Sequence, residues 1–374
     1  MGFRQSPLES VERLMIDLSF YKGKRVFVTG HTGFKGSWMC QVLLNAGAQV
    51  TGYALKAPTQ PSLFDLAQLE QRMNSVIGDV QDFAHLKETF DAAQPEIVLH
   101  LAAQPIVRTS YEQPRETYEA NVMGTVNLLE CVRTAQHPVR SVVNVTTDKV
   151  YENKEWGWGY RENEPLDGYD PYSNSKSCSE LVTHSYAKSF LAPSGVAVST
   201  ARAGNVIGGG DFARDRIIPD CIRAALAHQP IIVRNPHSTR PYQHVLEPIM
   251  AYLMIAQRQY EQPALAGWYN VGPDDCDCVT TGQLVDRFCR CWGGQLGWEN
   301  HAQANAPHEA NFLKLDCTLL KNTFHWSPRW HIEEAIEQTV AWSKAWQRGE
   351  DLSAVMDQQI QAFLEGTPHE AVEQ

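Results

Sequence analysis

Tyr172 and Lys176 stand four residues apart in the run Asp170-Pro171-Tyr172-Ser173-Asn174-Ser175-Lys176. Asp170 suits a helix N-cap and Pro171 the first helical position, so the phenol and the ammonium share one face of a first turn. A cation beside a phenol, with an oxidised nicotinamide nearby, lowers its pKa from about 10 toward neutrality, which makes Tyr172 a candidate general base for a hydroxyl proton. The Tyr-x-x-x-Lys pattern is common by chance, and its weight comes from where it falls. A second group, Thr146-Thr147-Asp148-Lys149-Val150-Tyr151, ends a β-rich run. Thr147 can hold a substrate hydroxyl alongside Tyr172, while Asp148 offers an acid and Lys149 a potential base at the same sheet edge. Taken alone, that segment also reads as a polar strand-to-loop transition.

A third group, Gly30-His31-Thr32-Gly33-Phe34-Lys35-Gly36, spaces its glycines as Gly-x-x-Gly-x-x-Gly between a strand and a helix. Glycines let the backbone approach a pyrophosphate, and the helix start offers unpaired amides. Asp79-Val80 could meet an adenine amine, and Leu101-Ala102-Ala103 has side chains small enough for close passage of a ribose and diphosphate. Asn121 and Thr146 complete the expected cofactor contacts. NAD-preferring folds usually carry an acidic ribose anchor about 20 residues past the glycines. Here that window is Thr51-Gly52-Tyr53-Ala54-Leu55-Lys56, without Asp or Glu. NAD is the expected cofactor, loosely held, and Lys56 keeps NADP open. His31 and Lys35 are unusual inside such a turn.

These groups need a frame to position them. Short β-rich runs recur at Arg25–Thr29, Gln49–Leu55, Val76–Gly78, Ile97–Leu101, Ser141–Val145 and Val196–Thr200, separated by helical patterns such as 37–45, Phe83–Ala93 and Tyr118–Ala135. Strands apolar on both faces that alternate with helices predict an α/β fold, a Rossmann-type doubly wound parallel sheet. Beyond Gly204, irregular loops rich in Gly, Pro, Asp and His predict a smaller, mixed C-terminal substrate domain. The expected division is a lead-in at 1–20, a dinucleotide domain at 21–203 with returning segments near 240–272 and 330–348, and a substrate domain at 204–239 and 273–329. A C-terminal helix and tail fill 349–374, the helix near Ser353–Leu364.

The 374-residue chain has ordinary globular proportions, 43% hydrophobic and 20% charged, and no run approaches the roughly 18 apolar residues of a membrane span. A formal net charge of −11 argues against general nucleic-acid affinity. Nine scattered cysteines point to a reducing, cytoplasmic setting. The C-x-C pairs Cys276/Cys278 and Cys289/Cys291 lack metal-knuckle spacing, so no metal is expected. Met1-Gly2-Phe3-Arg4-Gln5-Ser6 fits a loose myristoylation pattern without a supporting polybasic patch, and charged residues break any signal-peptide core.

From about Gly23 to Trp330 the chain resembles the extended short-chain dehydrogenase/reductase superfamily, specifically its nucleotide-sugar 4,6-dehydratases. The resemblance rests on Gly30–Gly36, Thr146–Tyr151, Arg234-Asn235-Pro236 with Arg240–Val245, and Pro307-His308-Glu309-Ala310. Other dehydratases of this group commonly place glutamate after the aspartate. Lys149 stands there instead, which favours the branch acting on CDP-linked glucose. The resemblance implies a lyase of deoxysugar and O-antigen lipopolysaccharide biosynthesis that oxidises C4, eliminates water across C5–C6 and returns hydride to C6. Tyr172, Lys176 and Thr147 would serve C4, Asp148 would be the acid at the C6 hydroxyl and Lys149 the base at C5. Asn205 and Arg240 match its phosphate contacts, with Arg234 and His308 as further carry-overs. Arg216, Ile218 and Pro219 are expected near the nucleotide base. A homodimer or homotetramer is expected, through helices at Tyr118–Ala135 and Tyr172–Phe190. A 4-epimerase, a GDP-mannose-type dehydratase and a non-catalytic dinucleotide sensor are the alternatives; the intact Tyr/Lys pair and Asp148-Lys149 disfavour the first and last.

Overall fold

Seven parallel strands form the centre of the computed structural model, which describes residues 16–301 and 312–366. They are β1 (Arg25–Thr29), β2 (Gln49–Ala54), β3 (Asn74–Ile77), β4 (Ile97–His100), β5 (Ser141–Thr147), β6 (Ala197–Ala203) and β7 (Trp268–Val271). Their spatial order is β7-β6-β5-β4-β1-β2-β3, and every pairing is parallel. The order reverses between β1 and β4, the kind of switch point where open α/β sheets bind ligands beyond the strands' carboxyl ends. Six strands fall where the residue pattern predicts them. The seventh was not anticipated: it is a four-residue edge strand with no alternation to mark it.

Alternate side chains of the central strands feed two cores. Val26, Val28, Leu99, Val143 and Ala201 point to one face, where α1 (Phe34–Asn45), α6 (Leu246–Glu261) and α9 (Leu352–Glu365) cover them. Phe27, Val98, Val142 and Val198 point to the other, under α2 (Phe83–Ala93) and α3 (Gly124–Arg133). This two-sided burial is why these strands lack polar alternation. Between β5 and β6 runs α4 (Pro171–Tyr186), started by Pro171 and by the Asp170 carboxylate accepting the Ser173 amide at 3.0 Å. A third apolar cluster joins α5 (Ile217–Leu226), α7 (Thr281–Trp292) and α8 (Ile332–Gln347) into a second lobe.

The segment expected as a lead-in up to residue 20 is already built into the fold at Leu18–Tyr21. Tyr21 is fully buried and its hydroxyl donates to the Leu253 carbonyl at 2.6 Å. The helix expected over Tyr118–Ala135 is interrupted by a π-helical turn at Glu119–Met123. The C-terminal helix packs Met356, Ile360 and Phe363 into the first core, and the tail beyond residue 366 lies outside the described residues.

Candidate active site

Gly30 ends β1 at φ +78°, and a Cβ there would lie 2.7 Å from the Ala102 nitrogen. A Cβ on Gly36 would lie 2.1 Å from the Gly30 carbonyl oxygen, so the turn packs backbone on backbone. Thr29 Oγ1 accepts from the Leu101 and Ala102 amides, each at 3.2 Å, and fixes the loop after β4 against this turn. Gly33 caps α1 without a side chain, which leaves the first-turn amides available to an anion. The pyrophosphate of a dinucleotide fits this cradle.

His31 and Lys35 give the cradle its particular character. His31 is buried, lies against Phe64 and pairs through Nε2 with Ser75 Oγ at 2.8 Å. Burial lowers its pKa to about 4, so it is neutral and fills space rather than adding charge. Lys35 is pulled down to about 7 by burial, then by the charges of Arg216 and Lys176, with Asp148 opposing. Its Nζ reaches Tyr252 Oη at 3.4 Å. Thr32 donates to the Leu55 carbonyl at 2.8 Å, and so reaches the β2 end where an acidic ribose anchor would stand.

Across the cleft, β5 and α4 carry the residues expected to do acid–base chemistry. Thr147 Oγ1 donates to Asp148 Oδ1 at 2.9 Å, while buried Asp148 Oδ2 has no partner. Burial raises the Asp148 carboxyl, against the pull of Lys149, the Thr147 hydrogen bond and Arg240. Lys176 Nζ donates to the Val145 carbonyl at 3.3 Å, and burial lowers it to about 8 while Glu180 raises it. Lys176 by itself does not bring the Tyr172 phenol toward neutrality. Burial dominates and pushes Tyr172 up to about 12; the opposing influences are the Thr147 hydrogen bond and Arg216. Tyr172, Thr147, Asp148, Lys176, Lys35 and Arg216 thus surround one space at the carboxyl edge of the sheet.

Other residues singled out from the sequence have different surroundings. Asn121, deeply buried, accepts the Gln104 amide at 2.8 Å and donates to the Gln104 carbonyl and Ser175 Oγ, so it braces the loop after β4 against α4. The Thr146 hydroxyl donates to Glu180 on the far side of β5 from Thr147. Ile218 is packed inside the second lobe's core, 1% exposed, and Pro219 beside it is also buried, because both lie on the inner side of α5. Asp79 Oδ1 accepts the Gln81 amide at 2.9 Å as a turn aspartate, and Val80 packs on Gly124. Arg216 pairs with Asp211 at 3.1 Å, and Arg234 with Asp215 at 2.7 Å. Arg240 is buried, close enough for its charge to act on Asp148, while the Asn205 carbonyl accepts the Gln243 amide at 3.0 Å. His308 lies outside the described residues. Not anticipated were Glu180, Arg202, Tyr252 and the Arg108–Asp215 contact at 3.3 Å. Glu180 alone left a signal, one helical turn past Lys176. Away from the cleft, Cys276, Asp277 and His331 form a group with metal-ligand atoms. Asp277 there caps Ile332 at 3.0 Å and pairs with His331 at 2.7 Å, an arrangement that holds the start of α8.

This sheet, with its glycine turn and a Tyr/Lys helix after β5, defines an extended short-chain dehydrogenase/reductase. Within that class the chain belongs to the GDP-mannose 4,6 dehydratase family, whose model matches residues 27–339. It is 51% identical over 364 residues to a CDP-glucose 4,6-dehydratase of Salmonella typhimurium, covering 94% of this chain and 99% of that one. A dTDP-glucose 4,6-dehydratase of Xanthomonas campestris is 26% identical over 348 residues, 86% of this chain and 94% of the relative. The fold is that of the Bacillus anthracis dTDP-glucose 4,6-dehydratase solved with NAD, at TM-score 0.71 and 22% identity over 88% of this chain and 99% of the other. It is equally that of a Stenotrophomonas maltophila UDP-glucose-4-epimerase, at TM-score 0.76 and 19% identity over 87% and 99%.

Proposed function

We propose that this chain is a hydro-lyase that converts CDP-D-glucose to CDP-4-dehydro-6-deoxy-D-glucose. The observation that carries the reading is the buried Asp148, its carboxyl raised by burial and joined by Thr147 to the Tyr172/Lys176 space. An epimerase has no use for an acid there, whereas elimination of a hydroxyl needs one. The 51% identity to a CDP-glucose enzyme over nearly the whole of both chains supports the substrate.

In this reading Tyr172 takes the proton of the C4 hydroxyl, with Thr147 holding the same oxygen and Lys176 assisting from one helical turn away. The 4-ketone acidifies C5–H, which Lys149 removes, while Asp148 protonates the departing C6 hydroxyl. When bound, a nicotinamide dinucleotide supplies the hydride acceptor for C4 and the hydride donor for C6. Gly30–Gly36, Leu101–Ala103 and Asp79–Val80 would hold it. The window at residues 51–56 lacks an acidic anchor, Lys35 is half-buried with its charge disfavoured, and His31 is neutral, which supports NAD held loosely. Asn205, Arg240, Arg216 and Arg234 are assigned to the substrate diphosphate and nucleotide. The cofactor is assigned to residues 21–203 with the returning segments, and the nucleotide sugar to 204–239 and 273–329. Exposed Met123, Leu181 and Phe190 lie on or beside the α3 and α4 helices and suit a second copy of this chain, which light scattering would detect as a dimer or tetramer. No helix of the described residues is long and apolar enough to cross a membrane, and a cytoplasmic enzyme is proposed.

The test is incubation with CDP-, dTDP-, GDP- and UDP-hexoses, with and without added NAD⁺, followed by mass spectrometry. Loss of one water from CDP-glucose, dependent on added NAD⁺, is the expected result. Isomerisation without mass change would move the assignment to an epimerase, and protein purified already saturated with NAD would contradict the loose site. Lys149→Met is expected to abolish water loss while C4 oxidation persists; normal turnover by that variant excludes Lys149 as the C5 base.

A further inference from the structure

Glu180 lies one turn beyond Lys176 on α4 and is fully buried, as is Arg202 on β6, 2.9 Å away. The Glu180 carboxylate gathers donors from three elements. Thr146 Oγ1 on β5 donates to Oε1; on β6 the Thr200 hydroxyl and the Arg202 guanidinium donate to Oε2 at 2.7 and 2.9 Å. His184 on α4 pairs with Oε2 at 3.1 Å. Arg202 also donates to Tyr151 Oη at 2.9 Å and to the Glu162 carbonyl at 3.0 Å, and Tyr151 donates to Asn270 on β7 at 2.6 Å. One carboxylate therefore ties α4 to β5 and β6, and through Arg202 and Tyr151 to β7.

We infer that Glu180, held by Arg202, is a positioning residue for the acid–base site: it fixes the face of α4 that carries Tyr172 and Lys176 against the strand end that carries Thr147. The inference rests on the dehydratase reading above. Its geometric core is that Thr146 and Thr147 are successive strand residues, whose side chains leave opposite faces. Anchoring Thr146 to α4 sets the orientation of Thr147 toward the phenol. A buried ion pair contributes little to stability over an apolar pair of equal volume, so the bland alternative, that it only holds the fold, makes a different forecast. Glu180 is also the carboxylate that favours the charged form of Lys176. The other groups facing Lys176 are Lys35 from α1 and the neutral His100 from β4, while Arg202, Tyr151 and His184 face Glu180 itself.

Glu180→Gln alone leaves Arg202 buried without its counter-charge, so the informative variant is Glu180→Gln with Arg202→Met. Turnover of CDP-glucose at saturating NAD⁺ is measured beside the thermal midpoint and circular dichroism. A folded double variant with KM within about twofold of wild type and kcat down about 100-fold is expected. The alkaline limb of its kcat–pH profile moves to lower pH, because Lys176 loses the carboxylate that favours its charged form. Thr146→Val, which keeps the ion pair and removes the β5 tether, is expected to lower kcat in the same direction with little change in thermal midpoint. Wild-type kcat and pH profile in either folded variant overturns the positioning role. Wild-type enzyme that leaves CDP-glucose unchanged would instead remove the dehydratase reading.

Discussion

Two clusters of buried charge lie back to back across β5 and α4, and they are built on opposite rules. On the cleft side, Lys176 and Asp148 are buried and Lys35 and Tyr172 half-buried, and desolvation moves each toward its neutral form. On the far side, burial raises Glu180 as well, yet Arg202, His184 and Thr146 overcome it and hold the carboxyl down at about 2. Arg202 is driven the other way, firmly into its charged form, by Glu180 and Tyr151 against the effect of burial. Desolvation brings Lys35 and Lys176 to about 7 and 8, within reach of neutral pH, whereas the donors gathered on Glu180 take its proton out of that range. The same helix presents both arrangements one turn apart.

The contrast is broken most sharply at Tyr172. Tyr172→Phe is expected to lower kcat with CDP-glucose by about 100- to 10,000-fold while the denaturant midpoint does not fall, since only a poorly paired hydroxyl is removed. A lost midpoint with retained specific activity would reverse the roles of the two clusters. On the far side the expectation is the opposite balance: Glu180→Ala leaves Arg202 unpaired and costs about 3–5 kcal/mol in urea unfolding. A cost near zero would mean that Arg202 finds another counter-charge.

Glu247 sharpens the comparison because it is a buried carboxyl of the first kind outside the cleft. Burial raises it to about 8, although Oε1 accepts the Arg329 and Trp330 amides at 2.8 and 2.7 Å. Its folded pKa exceeds the ordinary 4.5, so its contribution to stability is full below pH 4.5 and is lost as pH climbs toward about 8. Glu247→Gln keeps the acceptor and removes the charge. It should be more stable than wild type by about 4 kcal/mol at pH 8, with the gain vanishing near the ordinary carboxyl pKa. Thermal midpoints at the two pH values test this, and a gain independent of pH would refute it. The smallest effect is at the helix start. Asp170→Ala, which removes the cap on the Ser173 amide, should cost about 1 kcal/mol, with any loss of kcat reflecting fraying under Tyr172.

The residue pattern alone determined the parts that depend on near neighbours. Strands apolar on both faces, the glycine spacing after β1, the Asp170-Pro171 start and the i, i+4 pairing of Tyr172 with Lys176 are all local, and local spacing is what a chain displays. Glu180 was within reach by the same periodicity, being four residues beyond Lys176. Its partner was not, since Arg202 arrives from another strand. The cores of the two lobes likewise decided that Ile218 faces inward, and the tether to Glu180 turned Thr146 away from the cleft. The edge strand β7 joins the sheet only because β6 offers it a partner. The directions of the proton affinities were the least legible, because desolvation is set by the segments that close over a group, and those lie far away in the chain. Tertiary structure therefore decided which of the chemically capable residues face the cleft with few partners and which are tied down by several.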